Sequence, residues 1–239
     1  AKMSGLMRSM RNPAESTGDF SAQIAANRRG SYRLIELIQQ MGTQRYSEAL
    51  EALNHYAEQL ASSCLNAIPD GEYHFSDVLD DDGLGHTDIE IQAGIVVQQG
   101  RVDVDFKGTS SQVRGNVNCP ISVTAAAVYY VFRCLLPPQA PACAGSFRPI
   151  SITAEPGSLL NAAYPAAVAA GNVETSTRIV DVVLGALAQA IPEKIPAASH
   201  GSMNNLAMGS TGSETVQAWD YYETIGGGMG ASSVADGVD

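Results

Sequence analysis

The chain has 239 residues, 45% hydrophobic and 16% charged, and its 14 Lys and Arg stand against 25 Asp and Glu for a net charge of −11. That length buries a sizeable core in one large domain or two small ones, and the acidic surface repels nucleic acid and anionic membranes. The four cysteines, Cys64, Cys119, Cys134 and Cys143, show no CxxC spacing, which removes zinc-knuckle and redox readings and fits reduced thiols. With neither a signal-peptide pattern nor a long uncharged apolar run, the expected location is the cytoplasm.

A turn around Pro13 opens the first element, with Asp19 as a candidate helix cap. Phe20, Ile24, Leu34, Ile35, Ile38 and Met41 follow at helical spacing up to Gly42. A second helix starts near Tyr46 and carries Leu50, Leu53, Ala57, Leu60, Cys64 and Ile68 on one stripe. The turn formers Pro69, Asp70 and Gly71 close it. The pair reads as a helical hairpin. The period then changes from helical to alternating: Ile89, Ile91, Ala93 and Ile95 face one way, as do Val102, Val104 and Phe106, with a hairpin turn at Gln99–Gly100.

"ISVTAAAVYYVFRCLL" reads as a buried helix stopped by Pro137 and Pro138, and "FRPISITAEPGSLLN" as a strand and turn. "TSTRIVDVVLGALAQAIP" reads as a helix capped by Thr175 or Ser176. Two strands with a polar loop between them follow, in "HGSMNNLAMGS" and "AWDYYETIGGG". The expected class is α+β, with a helical hairpin over residues 1–70 and an α+β segment over 71–239, packed as a mixed and largely antiparallel sheet region with further buried helices.

The glycine run in "ETIGGGMGA" invites a phosphate-binding reading, but a P-loop needs a lysine and a Ser or Thr directly after its glycines. No lysine follows Lys194. A dinucleotide fingerprint would need a helix after the glycines, and none is readable. A tight turn and a close backbone approach share the remaining weight. "AAGNVETSTR" places Asn172 and Glu174 at a helix start, where free N–H groups suit anions or carbonyl oxygens. "ASHGSMNNL" brings His200, Ser202, Asn204 and Asn205 together, with Ser202 and Asn204 expected on one strand face. Amides there could hold an oxyanion, and His200 has the chemistry of a general base. Asp80, Asp81 and Asp82 read as a solvated turn, because three consecutive acids cannot converge on one ion. No metal ligands are assigned.

In order along nearly the whole chain, "GDFSAQIAANRRGSYRLIELI", "YHFSDVLDDDG", "VDFKGTSSQVRGNVNCPISVTAAAVYYVFRCLLPP", "FRPISITAEPGSLLNAAYPAAVAAGNVETSTRIVDVVLGALAQAIPEKIPAASHGSMNN" and "YYETIGGGMGA" resemble the hydantoinase B/oxoprolinase family. The resemblance implies a central fragment of a longer subunit and a component of an ATP-dependent cyclic amidase acting on hydantoin-type or 5-oxoproline-type rings. It implies ATP with Mg on a separate A-type subunit, in a hetero-oligomer, and any metal in an upstream segment outside this chain. Ketone carboxylases of the acetone and acetophenone type, and a non-catalytic scaffold for the ATP-binding subunit, are the alternatives. The family often carries Gln at the position of His200. Under this resemblance Glu174, Asn204 and His200 are the candidate catalytic residues. Asn172, Ser202, Asn205, Glu223, Gly226, Gly227 and Gly228 are the candidate substrate contacts, the glycines forming a close-packed wall.

Overall fold

The computed structural model describes residues 2–10, 12–213, 215 and 217–238. Ala1 and Asp239, the two ends of the sequence, lie outside them. The chain divides into two compact units between His55 and Tyr56, inside one helix. The fold is α+β.

The first unit holds α1 (Lys2–Arg8), α2 (Pro13–Met41) and the start of α3 (Thr43–Leu65). Pro13 begins α2 rather than marking a turn, because its fixed φ suits the first helical turn and its missing N–H leaves no orphan donor there. Asn12 occupies the cap position, and Asp19 lies inside the helix, which corrects the expected start. Gly42 ends α2 at φ 79° while its N–H bonds the Ile38 carbonyl at 2.8 Å. Helix α3 resumes one residue later, three before the expected Tyr46. Helix α2 has no buried residue, and Ile24, Leu34 and Ile35 of its apolar stripe are exposed.

The second unit contains the sheet. Strands β1 (Gly71–Asp81), β2 (Thr87–Gln98) and β3 (Arg101–Asp105) form an antiparallel meander. Strand β4 (Ile150–Thr153) then pairs in parallel with β3, giving the order β1-β2-β3-β4. The two-residue connection works because Gln99 and Gly100 take φ 50° and 74°, as the tight turn between twisted strands requires. The Gln99 N–H is held by Asp70 Oδ1 at 2.9 Å. The alternating pattern becomes one buried face: Ile89, Ile91, Ala93, Ile95 and Val97 of β2, beside Val102 and Val104 of β3.

Helices α4 (Ile121–Leu135) and α5 (Ser176–Leu187) join this core through Val128, Phe132, Ile179, Val183 and Leu187. Each such side chain contributes about 1.5–3 kcal/mol by leaving water. Gly185 lets α5 approach β1, since a Cβ there would lie 2.6 Å from the Phe75 ring. Helix α3 adds Leu65 to this cluster, while its Ala61 packs with Leu136 and Ala140 in a second one. Strands β5 (Asn204–Ser210) and β6 (Trp219–Ile225) form a separate antiparallel pair. No helix among the described residues is long and apolar enough to cross a membrane.

Candidate functional site

Glu174 is carried by one turn of π-helix, Gly171–Thr175, that runs straight into α5. The turn sits hard against the 118–119 segment. A Cβ on Gly171 would lie 2.1 Å from the Asn118 carbonyl oxygen and 3.1 Å from Cys119 Sγ. Thr175 is buried and does not cap α5: its hydroxyl donates to the Val117 carbonyl. The expected Thr175 or Ser176 cap is therefore absent, because the π turn already supplies the carbonyls that a cap would replace. The Ser176 N–H, for example, bonds Gly171 O. Burial pushes the Cys119 thiol up to about 12, against a smaller opposing hydrogen bond from Thr175.

Glu174 is half-buried, and Ser202 donates to its Oε1 at 3.1 Å. Asn172 is exposed on the same turn. The Thr177 hydroxyl lies 2.7 Å from the Glu174 carbonyl and 2.9 Å from that of Gly201, so it joins the π turn to the 200–202 segment.

That segment also holds the glycine loop. The Ala197 N–H donates to Ala231 O at 2.8 Å and the His200 N–H to Gly228 O at 3.0 Å, so residues 197–200 and 228–231 run side by side. A Cβ on Gly227 would lie 2.2 Å from His200 Cγ, and one on Gly230 would lie 1.8 Å from Ala197 O. One on Gly226 would meet nothing within 4 Å. Close approach thus falls on Gly227 and Gly230, not on Gly226.

Asn204 Nδ2 lies 2.9 Å from His200 Nε2. The two side chains are within hydrogen-bonding distance of each other. Ser202 and Asn204 do not share a strand face. Strand β5 begins only at Asn204, so Ser202 turns to Glu174 while Asn204 turns to His200. Asn205 is held by Thr224 and by the Met203 carbonyl. Glu223 accepts from the Tyr221 hydroxyl, which raises the Tyr221 pKa. Glu174 with Ser202, and His200 with Asn204 and Gly227, are therefore brought together. Asn205 and Glu223 are engaged along the β5–β6 pair instead.

Three charged residues beside this site were not picked out from the sequence. Arg178 Nη1 lies 2.6 Å from Asp77 Oδ2 and 3.7 Å from Asp181 Oδ2. Asp181 Oδ2 is buried and has no hydrogen-bond partner. Burial raises the Asp181 carboxyl, Arg178 lowers it and Asp77 raises it again, for a net upward shift. The spacing of Arg178 and Asp181 on one helix was a readable signal; Asp77, 101 residues before Arg178, was not.

Asp181 opens into a cavity of about 620 Å³ bounded by α4, α5 and residues 194–201. Val131, Val180 and Leu184 supply apolar wall, and Tyr130, Cys134 and Lys194 supply polar groups. Charge on Cys134, with desolvation behind it, raises the Tyr130 pKa.

The acidic run at 80–82 also differs from expectation. Asp82 is buried rather than solvated, and accepts from the N–H groups of Leu84 at 2.8 Å, His86 at 3.1 Å and Gly115 at 3.0 Å. The His86 ring lies 2.9 Å away. Burial pushes this carboxyl up, but the hydrogen bonds prevail and bring its pKa to about 2. Among the described residues no three His, Cys, Asp or Glu side chains are grouped to hold a metal ion.

The family profile of hydantoinase B/oxoprolinase matches residues 2–239, and the chain belongs to that family. It is 37% identical over 238 residues to 5-oxoprolinase 1 of Arabidopsis thaliana, a match covering 94% of this chain and 18% of the plant protein. The crystal structure of an ATP-dependent caprolactamase from Pseudomonas jessenii superposes with a TM-score of 0.72 at 24% identity, over 88% of this chain and 40% of that one. An acetone carboxylase in its nucleotide-free form superposes with a TM-score of 0.68 at 16% identity, over 85% of this chain and 29% of that one. The two structures share the fold. The chain spans under a fifth of the plant relative and less than half of either structure.

Proposed function

We propose that this chain forms part of an ATP-dependent enzyme that opens cyclic amides, with ATP and Mg held by an A-type subunit or domain and the two parts working as a hetero-oligomer in the cytoplasm. Family membership supports the reaction class, together with the names of a 5-oxoprolinase and a caprolactamase among the similar proteins. The observation that carries the site assignment is the half-buried Glu174 carboxylate, held by Ser202 on a turn that continues into α5. The absence of a P-loop lysine after the glycine run fits phosphate chemistry supplied by a partner.

A cyclic amide is a poor electrophile, so transfer of the γ-phosphoryl group to its carbonyl oxygen would activate the carbon. In this reading Glu174 takes the proton from the water that attacks that carbon. Collapse of the adduct breaks the C–N bond, the ring nitrogen takes up a proton, and the resulting acyl phosphate is hydrolysed by a second water. Asn204 then orients the site and Gly227 admits the His200 ring. His200, its Nε2 lying 2.9 Å from Asn204 Nδ2, serves in this reading as a positioning residue.

The test is a coupled assay with an A-type partner, following ADP and ring-opened product on N-methylhydantoin, hydantoin, 5-oxoproline and caprolactam. ATP-dependent opening that Glu174→Gln lowers by on the order of 100-fold supports the reading. Fixation of bicarbonate onto acetone without ring opening moves the chain to the carboxylase reading. Full turnover in Glu174→Gln and Asn204→Ala points to a scaffold.

A further inference from the structure

We propose that the outer face of the β1–β2 pair holds a binding site for a phosphate group, formed by His74, Ser76, Gln92 and Lys107. The site lies apart from Glu174 and does not depend on the cyclic-amide reading.

Strand register brings these residues together. His74 of β1 stands opposite Gly94 of β2, and Ser76 opposite Gln92. Alternation puts all four on the face away from the buried Ile91, Ala93 and Ile95. With Lys107, from the turn after β3, they line a cavity of about 430 Å³, within the roughly 300–1,000 Å³ typical of small-molecule sites. Gly94 leaves the floor bare, since a Cβ there would lie 3.1 Å from the His74 ring. Gly108 takes a φ of 93°, and a Cβ on it would strike Gln92 Oε1, so the turn closes against the Gln92 side chain. The same turn fixes the Gln92 backbone. Its N–H donates to Thr109 Oγ1 at 3.1 Å, and its carbonyl accepts from that hydroxyl at 3.2 Å. Asp105 Oδ1 accepts from the Lys107 N–H at 3.0 Å, which holds the start of the turn.

Each of the four side chains can donate a hydrogen bond: an imidazole, a hydroxyl, a carboxamide and an ammonium. His74, Ser76 and Lys107 are exposed and Gln92 is half-buried, so a ligand can reach them. Among the described residues none of the four side chains has a hydrogen-bond or ion-pair partner, and no Asp or Glu lines the cavity. That lining runs against the charge around it, because Glu72, Glu90 and Asp105 alternate onto the same face. A face of that sign does not gather anions through its field, so an anion is retained there only by directed donors. Donors from two strands and a turn suit the several oxygens of a tetrahedral phosphate better than the two of a carboxylate, and lysine meets phosphate as a point charge. The cavity is larger than a bare anion and leaves room for the rest of a phosphate monoester. Gln189, just beyond α5, donates to the His74 carbonyl at 2.5 Å, whereas Glu174 precedes the other end of that helix. About 18 Å of α5 therefore separates the two sites.

The experiment titrates the ¹⁵N-labelled chain with sodium phosphate, phenyl phosphate or sodium acetate at constant pH and ionic strength, following amide signals by NMR. The expected result is saturable shifts at Gln92 and Gly94 with the phosphates, and binding at least about tenfold weaker with acetate, which leaves donors unfilled. Lys107→Gln should weaken phosphate binding by about tenfold or more. Ser76→Asp, which sets a carboxylate among the donors, should abolish it. Both positions are exposed, and unchanged signals elsewhere in each variant show that the fold is kept. Tighter binding of phenyl phosphate supports the site as one for a phosphate monoester, and tighter binding of sodium phosphate supports it as one for the free anion. No saturation by either phosphate, equal affinity for acetate, or a Kd unchanged in Lys107→Gln and Ser76→Asp overturns the proposal.

Discussion

Gly171→Ala is the sharpest perturbation of the turn that carries Glu174. The new methyl would start 2.1 Å from a backbone oxygen of Asn118, where real contacts require at least 3.0 Å. No side chain can swing aside to relieve it, so two backbones must part by nearly an ångström. Overpacking of this kind costs about 1–3 kcal/mol. The intrinsic gain of alanine over glycine in a helical turn returns about 0.5–1 kcal/mol. At the middle of both ranges the contact term wins by about 1 kcal/mol. For a protein of this size that lowers Tm by about 2–4 °C, measured by circular dichroism. Gly226→Ala is the matched control, because its methyl meets nothing within 4 Å. A displacement near 1 Å at Glu174 would also cost on the order of 100-fold in turnover. A Gly171→Ala protein melting within about 1 °C of the parent would refute the steric argument, since a real clash moves Tm further.

Other outcomes follow from the same geometry. Asp82 has a folded pKa of about 2, below its ordinary 3.8. Its stabilisation is therefore present above pH 4 and lost as pH falls toward 2, and urea midpoints across that window should flatten in Asp82→Asn. Asp181 is raised, so the sign reverses: stability should decline as pH rises above the usual carboxylate range, and Asp181→Asn should remove that slope in the same titration. Thr175→Val leaves the buried Val117 carbonyl without its hydroxyl donor and should cost about 1–3 kcal/mol by denaturant unfolding. Phe132→Ala, at a fully buried position of α4, should cost about 3–5 kcal/mol by the same measure.

Period-two alternation from Ile89 to Ile95 was legible because a single covered face sorts every second side chain. The turn at Gln99–Gly100 was legible because few residues accept positive φ at both positions. The start of α2 was misplaced because Asp19 looks like a cap, while Pro13 fixes the backbone six residues earlier. Asp82 was misread because an acidic run is usually solvated, and its donor Gly115 lies 33 residues away. At the site, the closeness of His200 and Asn204 is local and readable; the contact of Glu174 with Ser202 spans 28 residues and depends on how α5 is placed. The ion pair of Asp77 with Arg178 spans 101 residues and leaves no local trace.

The parallel pairing of β3 with β4 also orders events in time. Strands β1 and β2 are joined by five residues, 82–86, whereas 44 residues separate β3 from β4 and include all of α4. Closing a loop roughly nine times longer costs about 2 kcal/mol more in chain entropy, at about 0.6 kcal/mol per doubling. The meander therefore forms early as a local nucleus, and the fourth strand is recruited later, once the long connection that carries α4 has closed. A transition state of this kind is polarised, so substitutions at Val97 should slow refolding while those at Ile152 should mainly speed unfolding.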